Sequence, residues 1–249
     1  MNNQRHSSAR NSRPSTPTTG APGTPELTAA QAWSVKIPAG GAMLEGDLTV
    51  PPHAAGVVIF AHGSGSSRHS PRNRRVASAL NRSGLATLLF DLLTRNEEAI
   101  DERTAQLRFD IALLARRLRQ ATEWLITQRE MEKLRIGYFG ASTGAAAALV
   151  AAAELPISAV VSRGGRPDLA GPSLAKVKAP TLLIVGGEDT HVIALNRKAM
   201  EQLSCEKRLE IVPGATHLFE EPGTLEEVAI LARKWFLQHL GQQGGTRAA

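Results

Sequence analysis

The sequence predicts an α/β protein with a mostly parallel sheet and helices on both faces of the sheet. Strand-like apolar runs alternate with helix-like stretches from about residue 57 onwards, which is the order that builds a parallel sheet. One run, at 134–139, leads through the string GASTG directly into an alanine-rich helix. Polar or glycine-rich loops also follow the other parallel strands. Since sites in such sheets form at the carboxyl ends of strands, we expect the function to lie along that edge.

The first two strands have a different pattern from the rest. Residues 33–37 and 44–50 alternate apolar and polar side chains with the two-residue period of half-buried strands, and predict an antiparallel hairpin at one edge of the sheet. Buried strands are predicted at 57–61, 85–90, 134–139, 157–161, 180–185 and 208–212. Helices are predicted at about 73–83, 109–127, 192–203 and 225–240, besides the one after GASTG.

The two ends of the chain differ in composition from its middle. Residues 1–27 are rich in Ser, Thr, Pro, Asn and Arg, and so few large apolar side chains cannot offset the entropy lost on ordering. We therefore expect a disordered leader at 1–27, one α/β domain at 28–241 and a flexible tail at 242–249. The leader lacks the apolar centre of a secretory signal, and its prolines disfavour the amphipathic helix of a transit peptide.

Charge and composition exclude several classes of protein. Four arginines, Arg5, Arg10, Arg13 and Arg247, lie in the two ends, and without them the net charge of +6 falls to +2. The basic balance is therefore a weak argument for a nucleic-acid partner, and none is expected. No apolar run reaches the roughly 18 residues of a membrane span. The single cysteine, Cys205, excludes an internal disulfide and suits a reducing cytosol, so we expect a cytoplasmic protein; the sequence does not indicate its oligomeric state.

The strand, the string GASTG and the helix together form the pattern of a nucleophile elbow around Ser142. Gly140 and Gly144 carry no side chains, so the strand and the helix can approach each other closely. Thr143 presents its backbone N–H at the first helical turn, where it can stabilise an oxyanion together with the helix dipole. A plain glycine-bounded turn is the alternative, which the flanking strand and helix disfavour.

A serine hydroxyl needs a base within hydrogen-bonding reach, and the base needs a carboxylate that orients it. His217, in a loop of small residues after the last predicted strand, is the candidate base. Asp189, which follows the strand before it, is the candidate acid. In isolation, His217 would be interpreted as a solvent-exposed loop residue, but its place at a strand end favours the catalytic role.

Three other residues compete for these roles. Glu188 is adjacent to Asp189 but should point elsewhere in an extended turn. Asp168, after the preceding strand, is the second alternative acid. His191 shares a loop with Asp189 and has little room to reach across to Ser142.

An oxyanion hole requires a second N–H besides that of Thr143. The loop after the 57–61 strand, HGSGSS, is rich in glycine, so its backbone can approach a substrate closely. We expect Gly63 or Ser64 to be the donor and His62 to be structural. A simple flexible turn is the alternative.

Six strings carry a family resemblance: FAHGSGSS, FDLLT, GYFGASTGAAAAL, VVSRGG, PTLLIVGGEDTHV and VPGATHLFEE. The chain from about 35 to 240 resembles an α/β-hydrolase and, more narrowly, the small, nearly capless dienelactone-hydrolase-like group. The order Ser142, Asp189, His217 is the one expected for the triad of an α/β-hydrolase. True dienelactone hydrolases have a cysteine at the elbow, however, where this chain has Ser142, and Cys205 lies away from any elbow. Acyl-ester hydrolysis through a serine acyl-enzyme is therefore favoured over the opening of a dienelactone.

Two clusters of arginines follow predicted strands and bear on the substrate. Of these, Arg163 is nearest to a strand end and is the candidate for binding an anionic acyl substrate. Solvated surface charge is the more common role for such residues and is the favoured alternative for the group. The first cluster consists of Arg68, Arg72, Arg74 and Arg75, and the second of Arg163 and Arg166.

The sequence thus predicts a serine hydrolase that cleaves an ester or lactone bond of a small or medium acyl substrate. An acyltransferase or thioesterase with the same triad is one alternative, and a non-catalytic binding module on this fold is another. No metal-ligand spacing, Walker lysine motif or dinucleotide fingerprint is present, so neither metal nor cofactor is expected. The polar segments 92–108 and 164–177 are too short for a cap domain, which predicts an open cleft.

Overall fold

An eight-stranded sheet forms the centre of the fold. The computed structural model describes residue 1 and residues 29–241. The predicted leader beyond residue 1 and the predicted tail lie outside these residues, and the domain boundaries stay predictions. The strands are β1 (Gln31–Ala39), β2 (Ala42–Val50), β3 (Val57–Ala61), β4 (Ala86–Phe90), β5 (Ile136–Ala141), β6 (Ala159–Arg163), β7 (Thr181–Gly186) and β8 (Lys207–Val212).

The order of the strands across the sheet is β1-β2-β4-β3-β5-β6-β7-β8. The pairs β1–β2 and β2–β4 are antiparallel, whereas all pairs from β4 through β3 to β8 are parallel. The mostly parallel sheet and its antiparallel edge hairpin are therefore as predicted. Because Ala61 of β3 pairs with Gly140 of β5, the loop after β3 lies beside the turn after β5.

Helices cover both faces of the sheet. They are α1 (Pro71–Asn81), α2 (Arg95–Thr104), α3 (Ile111–Ile126), α4 (Thr143–Ala152), α5 (Thr190–Gln202) and α6 (Thr224–Leu240), with 3-10 helices at Leu107–Phe109 and Pro167–Lys176. Side chains of α3, α4 and α5 join one buried apolar cluster, and those of α1 and α6 join a second one across the sheet. Strands β3 to β7 are buried along their whole length, as continuous apolar runs between two helical layers should be.

Local capping fixes where the helices near the site begin. Asp110 accepts a hydrogen bond from the Leu113 N–H at the start of α3, and Ser70 caps α1, whose first residue is a proline. Thr94 and Glu97 form a reciprocal capping box at the start of α2. The polar segment 92–108, for which the sequence predicted no element, therefore contains a helix. Among residues 29–241, no helix is both long and apolar enough to cross a membrane.

Candidate active site

Ser142 occupies the turn between β5 and α4. Its φ of 50° and ψ of −122° are a combination that residues with a Cβ rarely adopt. Backbone hydrogen bonds hold this conformation, since the Ser142 N–H donates to the Arg163 carbonyl at 3.3 Å and the Ser142 carbonyl accepts from the Arg166 N–H at 3.1 Å. A Cβ at Gly144 would lie 2.2 Å from the Ala61 carbonyl oxygen, so only glycine permits this approach. The geometry is that of a nucleophile elbow.

His217 and Asp189 form a hydrogen bond at the same edge of the sheet. The His217 Nδ1 lies 2.6 Å from the Asp189 Oδ2, although the two residues follow different strands, β8 and β7. The His217 loop also packs on the end of β6, where a Cβ on Gly164 would lie 3.1 Å from the His217 carbonyl oxygen. At the same strand end, the Arg163 carbonyl accepts the hydrogen bond from the Ser142 N–H. With Nδ1 directed at a carboxylate, Nε2 is the ring nitrogen that can accept a proton from a serine.

The competing acids and base lie elsewhere. Asp168 forms two hydrogen bonds with Arg166, at 2.8 and 2.9 Å. Glu188 and His191 are both exposed. The structure thus brings Asp189, rather than Glu188 or Asp168, against His217.

Two chain segments meet where an oxyanion would be bound. Gly63 lies against Ser142, since a Cβ on Gly63 would be 3.0 Å from the Ser142 Cβ. The hydroxyls of Ser64 and Thr143 are hydrogen-bonded at 3.1 Å and link the β3 loop to the first turn of α4. The Thr143 N–H, as a first-turn amide, has no acceptor within its own helix. Both candidate segments for the oxyanion hole are therefore adjacent to Ser142.

His62 fixes the position of the β3 loop. The buried ring bonds to the Gly63 carbonyl through Nδ1 and accepts the Leu92 N–H through Nε2, each at 3.0 Å. Nδ1 must carry the proton in this arrangement, because a carbonyl can only accept. Burial lowers the pKa of His62, which keeps the ring neutral. The structural role predicted for His62 agrees with these contacts.

A cavity of about 140 Å³ opens beside the two oxyanion segments. Gly63, Ser64 and Thr143 line one side, and residues of the 91–114 segment, including α2, line the other. Burial and then the charge of Asp91 raise the pKa of Glu98 in this wall. The sequence indicated that segment 92–108 could border the site but not that it contains the helix α2, for which the capping box was the available signal. Among the described residues, no group of three or more His, Cys, Asp or Glu could hold a metal ion.

The sequence of this chain matches the dienelactone hydrolase family over residues 44–238. The chain belongs to the dienelactone hydrolase family. A solved structure described as a dienelactone hydrolase from Anabaena variabilis is 60% identical to this chain, with a TM-score of 0.83. The match covers 85% of this chain and 99% of that structure. A serine hydrolase without a lid from Xanthomonas campestris is 20% identical over 86% of this chain and 96% of its own, with a TM-score of 0.68, and shares the fold.

Two curated proteins from Mycobacterium tuberculosis strains are also similar to this chain. Each is 60% identical over 208 residues, and their name marks them as candidate phosphoribosyl transferases. The match covers 83% of this chain but only 46% of theirs, so the chain spans about half the length of these relatives.

Arg163 departs from the favoured expectation of a solvated surface charge. Its side chain is buried, with 7% exposure, and its guanidinium carbon lies 6.0 Å from the centre of the Phe219 ring. Burial and then the charge of Arg72 lower its pKa to about 10. The expectation was wrong here because the adjacent strands and the His217 loop cover the end of β6. The expectation of surface charge holds for Arg74 and Arg75, whose side chains are 51% and 66% exposed.

Proposed function

We propose that this chain is a serine esterase that hydrolyses esters of small acyl groups through an acyl-enzyme on Ser142. The observation that carries the proposal is the 2.6 Å hydrogen bond between His217 and Asp189, formed at the edge of the sheet where Ser142 is held in its strained turn. That combination serves a hydroxyl nucleophile, whereas a binding module needs neither the strain nor the oriented base.

The reaction follows from these positions. The Ser142 Oγ attacks the ester carbonyl carbon while the His217 Nε2 takes the hydroxyl proton, and Asp189 stabilises the imidazolium that forms. The backbone N–H of Thr143 and that of Gly63 or Ser64 stabilise the oxyanion. His217 then returns the proton to the leaving alkoxide. A water molecule, deprotonated by His217, releases the acyl group as an acid and restores the Ser142 hydroxyl.

Water is the proposed acyl acceptor because the base is accessible to solvent. The His217 side chain is 40% exposed, whereas Asp189 behind it is 15% exposed. An acyltransferase or thioesterase would use the same three residues with another acceptor or leaving group. Product analysis in the presence of added alcohols and thiols separates these activities, with the free acid as the expected main product.

The cavity beside Thr143 is the proposed place for the acyl group. A volume of about 140 Å³ admits a short chain. The leaving alcohol then lies on the opposite side of Ser142, towards the His217 loop.

The name of the Mycobacterium relatives is not carried over to this chain. Those proteins are about twice as long as the matched region, and their name applies to the whole. The serine, histidine and aspartate geometry described above serves acyl transfer, so we assign esterase activity to this part.

Covalent labelling with a fluorophosphonate tests the proposal directly. Wild-type protein should label at Ser142, as shown by peptide mass spectrometry, and Ser142→Ala should not label. Ser162→Ala is a matched control, because Ser162 is a buried serine on the neighbouring strand β6 and should leave labelling intact. Labelling that persists in Ser142→Ala, or a wild-type protein that neither labels nor hydrolyses p-nitrophenyl acetate, would contradict the esterase.

A further inference from the structure

Two arginines at the edge of the sheet that carries the proposed nucleophile have buried nitrogen atoms for which no hydrogen-bond partner is seen. In Arg163 these are Nε and Nη1, and in Arg72 it is Nε, counting partners within the part of the chain that the structure describes. The Arg163 residue is only 7% exposed, so it is more than nine-tenths buried. Buried charged groups in proteins are normally paired and hydrogen-bonded, so an arrangement of this kind indicates a ligand group that completes it.

Both arginines lie at the catalytic edge of the sheet. The Arg163 carbonyl accepts the Ser142 N–H, and its guanidinium lies over Phe219, two residues after His217. Arg72, in the first turn of α1, donates to Glu220 at 2.9 Å. Neighbouring residues of the His217 loop therefore contact the two guanidinium groups.

The charges around this pair do not balance. Among residues 29–241, Glu220 is the one carboxylate for which a bond to the pair is seen, and it contacts Arg72 alone. The guanidinium of Arg163 lies over the face of the Phe219 ring, which attracts a cation. The ring does not accept hydrogen bonds from the N–H groups, which point outward in the plane of the guanidinium. Other arginines at this edge are neutralised, since Arg68 pairs with Asp91 and Arg166 pairs with Asp168. With a pKa of about 10, Arg163 still carries its charge at neutral pH.

We propose that Arg163 and Arg72 form a subsite for one anionic oxygen group, a carboxylate or a phosphate, on the substrate that Ser142 attacks. The guanidinium fork presents parallel N–H donors that match both of these groups. The substrate role rests on the proposed esterase function, whereas anion binding by the pair does not.

The anionic group belongs on the alcohol part of the ester. Four carboxylates line the cavity assigned to the acyl group, together with Arg108, and this excess of negative charge disfavours an anion there; they are Asp91, Glu98, Asp101 and Glu102. The arginine pair lies on the side of the His217 loop, where the alcohol leaves. The expected substrate is thus a short-chain acyl ester of an alcohol that carries a carboxylate or phosphate.

Anion binding is tested first, on the full chain and without catalysis. Inorganic phosphate and acetate should each raise the Tm of the Ser142→Ala protein above its value in sodium chloride of equal ionic strength, because ligands of the folded state stabilise it. The additional substitution Arg163→Met should lower the affinity for the bound anion about 10- to 100-fold, as expected for lost charge-assisted hydrogen bonds. Arg82→Gln, at an exposed arginine directly after α1, is the matched control and should keep the effect. The larger of the two shifts identifies phosphate or carboxylate as the preferred group.

Substrate selection is tested with paired acetyl esters. We expect kcat/KM to be higher for 4-acetoxybenzoate and 4-acetoxyphenyl phosphate than for neutral methyl 4-acetoxybenzoate. Arg163→Met should reduce the ratio of anionic to neutral kcat/KM about 10- to 100-fold. If Arg163→Met fails to fold by circular dichroism, Arg72→Gln replaces it, since that side chain is 31% exposed and its loss leaves less of the interior unfilled.

The outcomes separate this subsite from the esterase itself. Anion-dependent stabilisation that requires Arg163, in a protein inert to every ester, would retain the subsite and overturn the esterase. Ester hydrolysis with equal ratios in wild type and variant would retain the esterase and overturn the subsite. The subsite is also overturned if phosphate and acetate stabilise no more than sodium chloride, or if Arg163→Met keeps the full effect.

Discussion

At the scale of single residues, Asp189 and Asp168 offer a matched comparison. Both are partly buried carboxylates near strand ends, but Asp189 bonds to His217 whereas Asp168 bonds to Arg166. Asp189→Asn should lower kcat for p-nitrophenyl acetate by roughly 10³- to 10⁴-fold, because the amide favours the wrong tautomer of His217. Asp168→Asn should change kcat by less than about tenfold, since its loss acts only through Arg166. Similar losses of kcat in the two variants would contradict the role of Asp189 in orienting His217.

The backbone of Ser142 leads to a second prediction. Its conformation disfavours any residue with a Cβ by about 1–3 kcal/mol, while glycine adds about 0.5–1 kcal/mol of entropy to the unfolded chain. Ser142→Gly should therefore raise the free energy of unfolding by about 1 kcal/mol and abolish hydrolysis. Ser142→Ala also removes the hydroxyl but keeps the Cβ, and is the control that should remain at wild-type stability. Urea denaturation measures both, and equal stabilities of the two variants would show that the turn is not strained.

Residue types and strand ends were enough to predict that Asp189 lies against His217. Ser142, Asp189 and His217 were predicted because each chemical type follows a separate strand, and the structure places the last two in contact. The catalytic roles themselves remain proposals. The burial of Arg163 could not be predicted, because it depends on the pairing of β6 beside β5 and on Phe219, which is distant in sequence.

At the scale of elements, α2 and the residues before it border the cavity proposed for the acyl group. Leu93, just before α2, lines this cavity and is only partly buried, so Leu93→Ala should widen it with modest loss of stability. We expect the ratio of kcat/KM for p-nitrophenyl octanoate to that for the acetate to rise about tenfold. Ile100→Ala, an exposed residue of α2 outside the cavity lining, is the control and should keep the wild-type ratio. An unchanged ratio in Leu93→Ala would place the acyl group elsewhere.

The elements differ in how well their sequences predicted them. Strands β3 and β7 are continuous apolar runs between polar loops, and their positions were predicted almost to the residue. Helix α2 buries only Asp101 and has no apolar stripe, so hydrophobic periodicity could not reveal it. Its stability comes from the capping box and from the ion pair between Asp101 and Arg108, interactions that a pattern of apolar residues does not show.

At the scale of the whole molecule, His62 couples stability to pH. The buried ring has a pKa below its ordinary value of about 6.5, so the unfolded chain binds a proton at a higher pH than the folded chain does. The free energy of unfolding that depends on neutral His62 is complete above pH 6.5 and falls as the pH drops below it. Glutamine is uncharged and its side-chain oxygen can accept the Leu92 N–H.

The Tm of the wild type should therefore fall more between pH 7.5 and 5.0 than that of His62→Gln, measured by thermal denaturation. Carboxylates such as Asp101, whose pKa values are lowered, lose their contribution only at more acidic pH and affect both proteins alike. Parallel pH profiles in wild type and variant would show that His62 has the same pKa in the folded and unfolded chains, which would contradict this coupling.

The order of strands across the sheet is the part of the architecture that the sequence did not specify. Alternating strands and helices predicted a mostly parallel sheet, and the alternating pattern of the first two strands predicted the hairpin at its edge. The pairing of β3 with β5, which brings the Gly63 loop to Ser142, and the antiparallel pairing of β2 with β4 are set by contacts distant in sequence. Such contacts leave no local signal in the amino-acid pattern.

Helix α2 borders the proposed acyl cavity, and Asp101 is its one buried residue. The elbow, in contrast, leaves no room for even a methyl group at Gly144. Changes of length or composition are therefore far better tolerated around α2 than at the centre of the reaction. During divergence of the family, new substrate ranges are expected to arise by remodelling this rim while the chemistry beneath it is inherited unchanged.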